Sequence, residues 1–158
     1  MPAAGCGTHG MNSSPAARIL VVDDDAVNLR ALCETLGQRG YETEGAASGE
    51  QALMTLQRQP FDVLLTDLMM PGIDGVALLA AALKIDPQLA GILMTGKGTV
   101  ETAVSAMQAG ALDYVLKPVK LKTLLLVLSR AVSVRRLPFC STKSLMRRSR
   151  NLLPKRSR

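Results

Sequence analysis

The sequence contains no tryptophan, two tyrosines, two phenylalanines, three cysteines and a single histidine among 158 residues. Cys6, Cys33 and Cys140 form no CxxC pair and have no histidine cluster near them, which excludes a zinc centre or a disulfide framework. The longest unbroken apolar run, residues 76–83, is half alanine and far short of the roughly 20 residues that cross a bilayer. No Lys or Arg precedes Arg18 and no apolar segment lies in residues 1–17, so no secretory signal is expected and a cytoplasmic location is. Acidic residues stop early, since no Asp or Glu follows Asp113.

That last absence changes the meaning of the net charge of +6. Residues 119–158 hold twelve of the nineteen Lys and Arg and none of the thirteen acids. The body is therefore acidic and the end strongly basic, and a single average describes neither. With 47% hydrophobic and 20% charged residues, the chain has the composition of one globular domain with a packed core. Composition divides it into a disordered Gly/Pro/Ser/Ala leader over residues 1–17, a folded domain over 18–136 and a basic, disordered tail over 137–158.

Four short apolar runs, at residues 19–22, 63–65, 92–94 and 114–116, have strand length and no polar alternation, as parallel strands buried on both faces should. Residues 41–46 alternate with Glu42 and Glu44 and read as an edge strand. Helical stripes follow the strands: Leu29, Leu32, Cys33 and Leu36; Ala52, Leu53 and Leu56; Val76, Leu79, Ala80 and Leu83; Val100, Ala103, Val104 and Met107; Leu121, Leu124, Leu125 and Leu128. Asp25, Ser48, Asp74 and Thr99 are suited to cap these helices, and Gly40 and Gly110 to stop two of them. Five strand-then-helix units imply an α/β, doubly wound parallel sheet with helices on both faces. Ligands in such sheets sit beyond the carboxyl ends of the strands.

At those ends stand Asp23 and Asp24, Asp67, Thr95, and Lys117 with Pro118. Three carboxylates about 5 Å apart at an effective dielectric near 20 repel pairwise by on the order of 3 kcal/mol, so the group needs positive charge. Lys117 supplies one charge, and a hard cation with oxygen ligands, Mg²⁺, can supply more. Carboxylate, hydroxyl, ammonium and Mg²⁺ together suit in-line phosphoryl transfer through an acyl phosphate.

The segments ILVVDDD (residues 19–25), LTDLMMPGIDG (65–75), MTG (94–96) and YVLKP (114–118) resemble the receiver domain of two-component response regulators over residues 18–134. The resemblance implies a flavodoxin-like (βα)5 sheet with strand order 2-1-3-4-5, and Asp67 as phosphoacceptor. It further implies Mg²⁺ held by Asp24 and Asp67 directly, by Asp23 through a water and by the backbone carbonyl of Met69. Thr95 and Lys117 would bind phosphoryl oxygens, Tyr114 would change rotamer with Thr95, and Lys117–Pro118 would be a cis bond. A histidine kinase or phosphotransfer protein would donate the phosphoryl group, and a downstream protein would read the result. Beyond phosphoryl transfer to itself and autodephosphorylation, no enzymatic turnover is implied.

Two other chemistries can be read from the same residues. Asp23-x-Asp25 after an apolar strand matches the first motif of haloacid dehalogenase-type phosphatases, but that fold needs a later acidic pair, absent after Asp113, and leaves Asp67 idle. Gly91 to Lys97 nearly forms a Walker A loop, but Gly98 stands where Ser or Thr should bind Mg²⁺, and its middle reads as a strand. Leu126, Val127 and Val134 fall outside the core stripe of the last helix, which suggests a homodimer contact through the fourth helix, fifth strand and fifth helix. The basic tail is a solubilising segment or an electrostatic contact with nucleic acid or an acidic partner, with no aromatic beyond Phe139 to stack on bases.

Overall fold

The computed structural model describes residues 17–136, and the basic tail and all but the last residue of the leader lie outside them. The elements are β1 (Arg18–Val22), α1 (Ala26–Gln38), β2 (Glu42–Ala46), α2 (Gly49–Arg58), β3 (Val63–Asp67), α3 (Gly75–Ile85), β4 (Ala90–Thr95), α4 (Val100–Gln108), β5 (Asp113–Leu116) and α5 (Leu121–Arg136). All strands pair in parallel in the order β2-β1-β3-β4-β5, the expected doubly wound topology.

Successive strand residues point to opposite faces, so each strand contributes to two cores. Leu20, Val22, Leu64 and Leu93 pack with Leu56 of α2, Leu78, Leu79 and Ala82 of α3, and Ala106 of α4. Ile19, Val21, Leu65, Ile92 and Met94 pack with Leu36 of α1 and Leu124, Val127, Leu128 and Ala131 of α5. Each fully buried Leu or Ile stabilises the fold by roughly 2 kcal/mol relative to exposure, enough to fix which helices lie on which face.

The caps fall where short polar side chains were expected. Asp25 accepts from the Val27 and Asn28 amides, Ser48 from Gln51, Asp74 from Ala77 and Thr99 from Thr102. Asp25 thus serves α1 as its cap. Gly40 and Gly110 sit at φ 93° and 99°, a left-handed conformation open to glycine, and end α1 and α4.

Several expected faces are corrected. In α4 the buried residue is Ala106, while Val100 is 80% exposed and Val104 and Met107 are also exposed. The stripe read as core is this helix's outer face, because a small alanine lets α4 approach the sheet and leaves the larger side chains outside. In α3 the buried set is Gly75, Leu78, Leu79 and Ala82, with Ala80 exposed. Val127 of α5 is buried, whereas Leu126 and Val134 are exposed as expected. Ala17, grouped with the leader by composition, is buried, and its carbonyl accepts from the Glu42 amide. The middle of the Walker-like run is strand β4.

Candidate functional site

Strand register places the chemistry. Val22 pairs with Thr66, Asp67 with Met94 and Thr95 with Leu116, so Asp23, Asp24, Asp67, Thr95 and Lys117 emerge at one edge of the sheet. Backbone bonds lock the junctions: the Asp23 amide donates to Ala46 O, Leu68 to Met94 O, and Lys117 to Thr95 O.

Carboxylate oxygens of Asp23, Asp24 and Asp67 lie within 4.8 Å of one another. Asp23 is 0% exposed and Asp67 is buried, whereas Asp24 is exposed. The Lys117 ammonium donates to Asp67 Oδ2 at 2.9 Å and to Asp23 Oδ2 at 3.4 Å. The Lys117–Pro118 peptide bond is cis, as expected. Asp23 Oδ1 accepts from the Asp25 amide at 2.9 Å, and Asp67 Oδ1 from the Met69 amide at 3.4 Å. The Met69 side chain points to solvent, 71% exposed.

Burial pushes the Asp23 carboxyl up, against the Asp25 amide and the Lys117 charge, and the Asp67 charge adds to the rise. For Lys117, burial acts to lower the ammonium's pKa, but the hydrogen bond and charge of Asp67, with those of Asp23, outweigh it and the net shift is upward. One ammonium thus pairs with two carboxyl groups of a cluster that holds three. An all-oxygen donor set with excess negative charge and a carboxyl made uncomfortable by burial fits a hard divalent cation such as Mg²⁺.

The Asp23 shift has a signed consequence. Its folded-state pKa is above the ordinary 3.8, so the stability it contributes is fully present below about 3.8 and is lost as pH rises through the raised value. In metal-free buffer at neutral pH, Asp23→Asn is therefore expected to raise the melting temperature by a few degrees, with the gain shrinking toward acid. An unchanged or lower melting temperature at neutral pH in chelator would contradict the electrostatic account of this site.

Thr95 is buried at the same edge, but its hydroxyl is turned into its own loop. It donates to Lys97 O and accepts from the Lys97 amide, both at 3.1 Å. Tyr114 is half-buried on β5 and lines a groove of about 510 Å³ against Val100, Val104 and Met107 of α4. The acidic cluster, Thr95 and Lys117 are thus brought to one edge, while Tyr114 borders the α4 groove. Sequence reasoning missed Thr102, whose hydroxyl meets both Thr99 and Lys97. The Thr-x-x-Thr spacing from Thr99 was its only signal.

Residues 19–129 match the family model described as the response regulator receiver domain. This chain belongs to the response regulator receiver family. The receiver is 41% identical over 115 residues to response regulator protein FleR of Pseudomonas aeruginosa, covering 73% of this chain and 24% of that one. Its identity to transcriptional regulatory protein ZraR of Escherichia coli is 40% over 115 residues, covering 73% of this chain and 26% of that one. The chain therefore spans about a quarter of the length of these relatives. Among solved structures, a response regulator receiver domain from Clostridium thermocellum has 33% identity and a TM-score of 0.72, over 76% of this chain and 97% of that one. NtrX from Brucella abortus has the same identity and TM-score over 89% of this chain and 30% of that one. The receiver's geometry leaves the dehalogenase reading without support, because Asp67 joins the acidic cluster and Asp25 caps α1. No helix among the described residues is long and apolar enough to cross a membrane.

Proposed function

We propose that the receiver, acting in the cytoplasm, takes a phosphoryl group onto Asp67 from a histidine kinase or phosphotransfer protein and signals through protein contact. The observation that carries this reading is Lys117 bridging Asp67 and Asp23 inside a three-carboxylate cluster. An Asp67 carboxylate oxygen attacks phosphorus, the bond from phosphorus to the donor histidine nitrogen breaks, and its electron pair stays with the imidazole. Asp23, Asp24 and Asp67, with the Met69 carbonyl, are the groups to hold Mg²⁺. When bound, that ion neutralises charge on the phosphoryl oxygens.

Lys117 already touches the acceptor carboxylate and is placed to follow the new negative charge. The Thr95 hydroxyl exchanges its Lys97 bonds for a phosphoryl oxygen, and Tyr114, bordering the same β4–α4 region, adjusts with it. These changes shift the population toward a state with an altered α4, β5 and α5 face. That face is already apolar, with Val100, Val104, Met107, Leu116 and Leu126 exposed, which suits a downstream protein or a second copy of the chain. In this reading residues 18–136 act as the receiver module, flanked by 1–17 and by the basic 137–158, whose contact with nucleic acid or an acidic partner is a separate matter.

The test is phosphate-affinity electrophoresis of the wild-type chain with a small-molecule phosphodonor. A retarded band is expected with Mg²⁺ and none in excess chelator. Absence of a retarded band in Mg²⁺ would refute the proposal.

A further inference from the structure

The Lys97 carbonyl oxygen lies within hydrogen-bond distance of two hydroxyls, Thr95 at 3.1 Å and Thr102 at 3.0 Å. Thr102 lies in the first turn of α4, at the third helical position after the Thr99 cap, and accepts from the Thr99 amide at 3.2 Å to complete a capping box. Its hydroxyl carries one proton and has a second acceptor, Thr99 O, at 2.8 Å. The two hydroxyls therefore form an exchangeable set. While Thr95 serves Lys97 O, the Thr102 proton can rest on Thr99 O; if Thr95 leaves, the Thr102 proton can move to Lys97 O without any change of backbone.

We propose that Thr102 is a positioning residue of the phosphorylation switch, its hydroxyl taking over the Lys97 carbonyl that Thr95 vacates when it turns to the phosphoryl group. The inference rests on the reading of Asp67 as acceptor and of Thr95 as the hydroxyl recruited to it. Withdrawal of Thr95 removes one donor from Lys97 O. A carbonyl left without a protein donor loses the net worth of one hydrogen bond; Thr102 offsets that loss, because the Thr99 carbonyl it leaves keeps the Ala103 amide at 3.1 Å. The same hydroxyl belongs to the α4 cap, so the exchange connects the phosphorylation site to the first turn of the helix whose outer face is exposed.

The two roles of Thr102 separate by substitution. Glu at this position is the usual capping-box partner and keeps an acceptor for the Thr99 amide, but as a carboxylate it has no proton to give Lys97 O. Val removes both functions, and Ser keeps both. Beryllofluoride with Mg²⁺, a mimic of the phosphoryl group, is titrated into isotope-labelled protein and followed by amide spectra, with the melting temperature of each variant measured alongside. Thr102→Val and Thr102→Glu are expected to bind the mimic about three- to tenfold more weakly than wild type, with Thr102→Ser restoring wild-type affinity. In a Thr95→Val background, where no hydroxyl leaves Lys97, the same substitutions are expected to have no further effect. Wild-type affinity in Thr102→Glu, or an equal loss in the Thr95→Val background, overturns the relay and leaves a capping or charge effect. A wild-type protein that fails to bind the mimic overturns the reading of Asp67 itself, and the relay with it.

Discussion

Asp67→Asn is expected to give no Mg²⁺-dependent retarded band in phosphate-affinity electrophoresis under conditions that shift the wild type. The substitution keeps the size and hydrogen-bonding shape of a buried side chain at the end of β3, so the sheet edge should survive. What it removes is the anionic oxygen. A carboxamide oxygen is a poor nucleophile toward phosphorus, and the Lys117 ammonium loses the partner it holds at 2.9 Å. The effect is therefore loss of the adduct to background rather than a partial slowing. A Mg²⁺-dependent band that persists in Asp67→Asn transfers the acceptor role to another residue, and the exposed Asp24 in the same cluster would be the first to test.

Gly75→Ala should be the most damaging single methyl group in the domain. Gly75 opens α3, and its amide donates to Leu68 O at 2.9 Å, so the helix starts directly against the end of β3. A Cβ at this position would lie 2.4 Å from the Asp67 carbonyl oxygen and 2.8 Å from Leu68 Cα. Both neighbours are backbone, and neither can rotate away. Overpacking of this kind costs about 3 kcal/mol or more, which lowers the melting temperature of a domain of this size by roughly 10 °C or more. Because the displaced atoms include the Asp67 carbonyl, whatever folded protein remains should also take up phosphoryl group poorly. A melting temperature within a degree or two of wild type would show that α3 does not begin where the structure puts it.

The reach of sequence reasoning followed the kind of signal each element carried. Strand positions were legible because the runs at 19–22, 63–65 and 92–94 are apolar without alternation and too short for helices, a pattern that fits strands buried on both sheet faces. The acidic cluster was legible because chain order places Asp23, Asp24, Asp67 and Lys117 directly after strands, and parallel pairing then brings strand ends together. Helix faces were less legible. Val100, Ala103, Val104 and Met107 recur with helical period, but periodicity reports that one face is apolar and is silent on whether that face meets the sheet. In α4 the decision came from Ala106, whose small side chain permits close approach and contributes little to any apolar stripe. Thr102 was hidden for a different reason: its partners include the Lys97 carbonyl, and backbone acceptors leave no trace in residue types.

Lys117 lies 50 residues after Asp67 and 94 after Asp23. Chains emerge from the ribosome amino end first, at about 5–20 residues per second, so both carboxylates are made seconds before the ammonium that balances them. A nascent chain ending in β4 carries a concentrated negative charge with no counterweight and lacks the last strand and helix of its sheet. The ammonium that balances the cluster, and the last helix of the fold, are therefore among the last parts of the domain to be made.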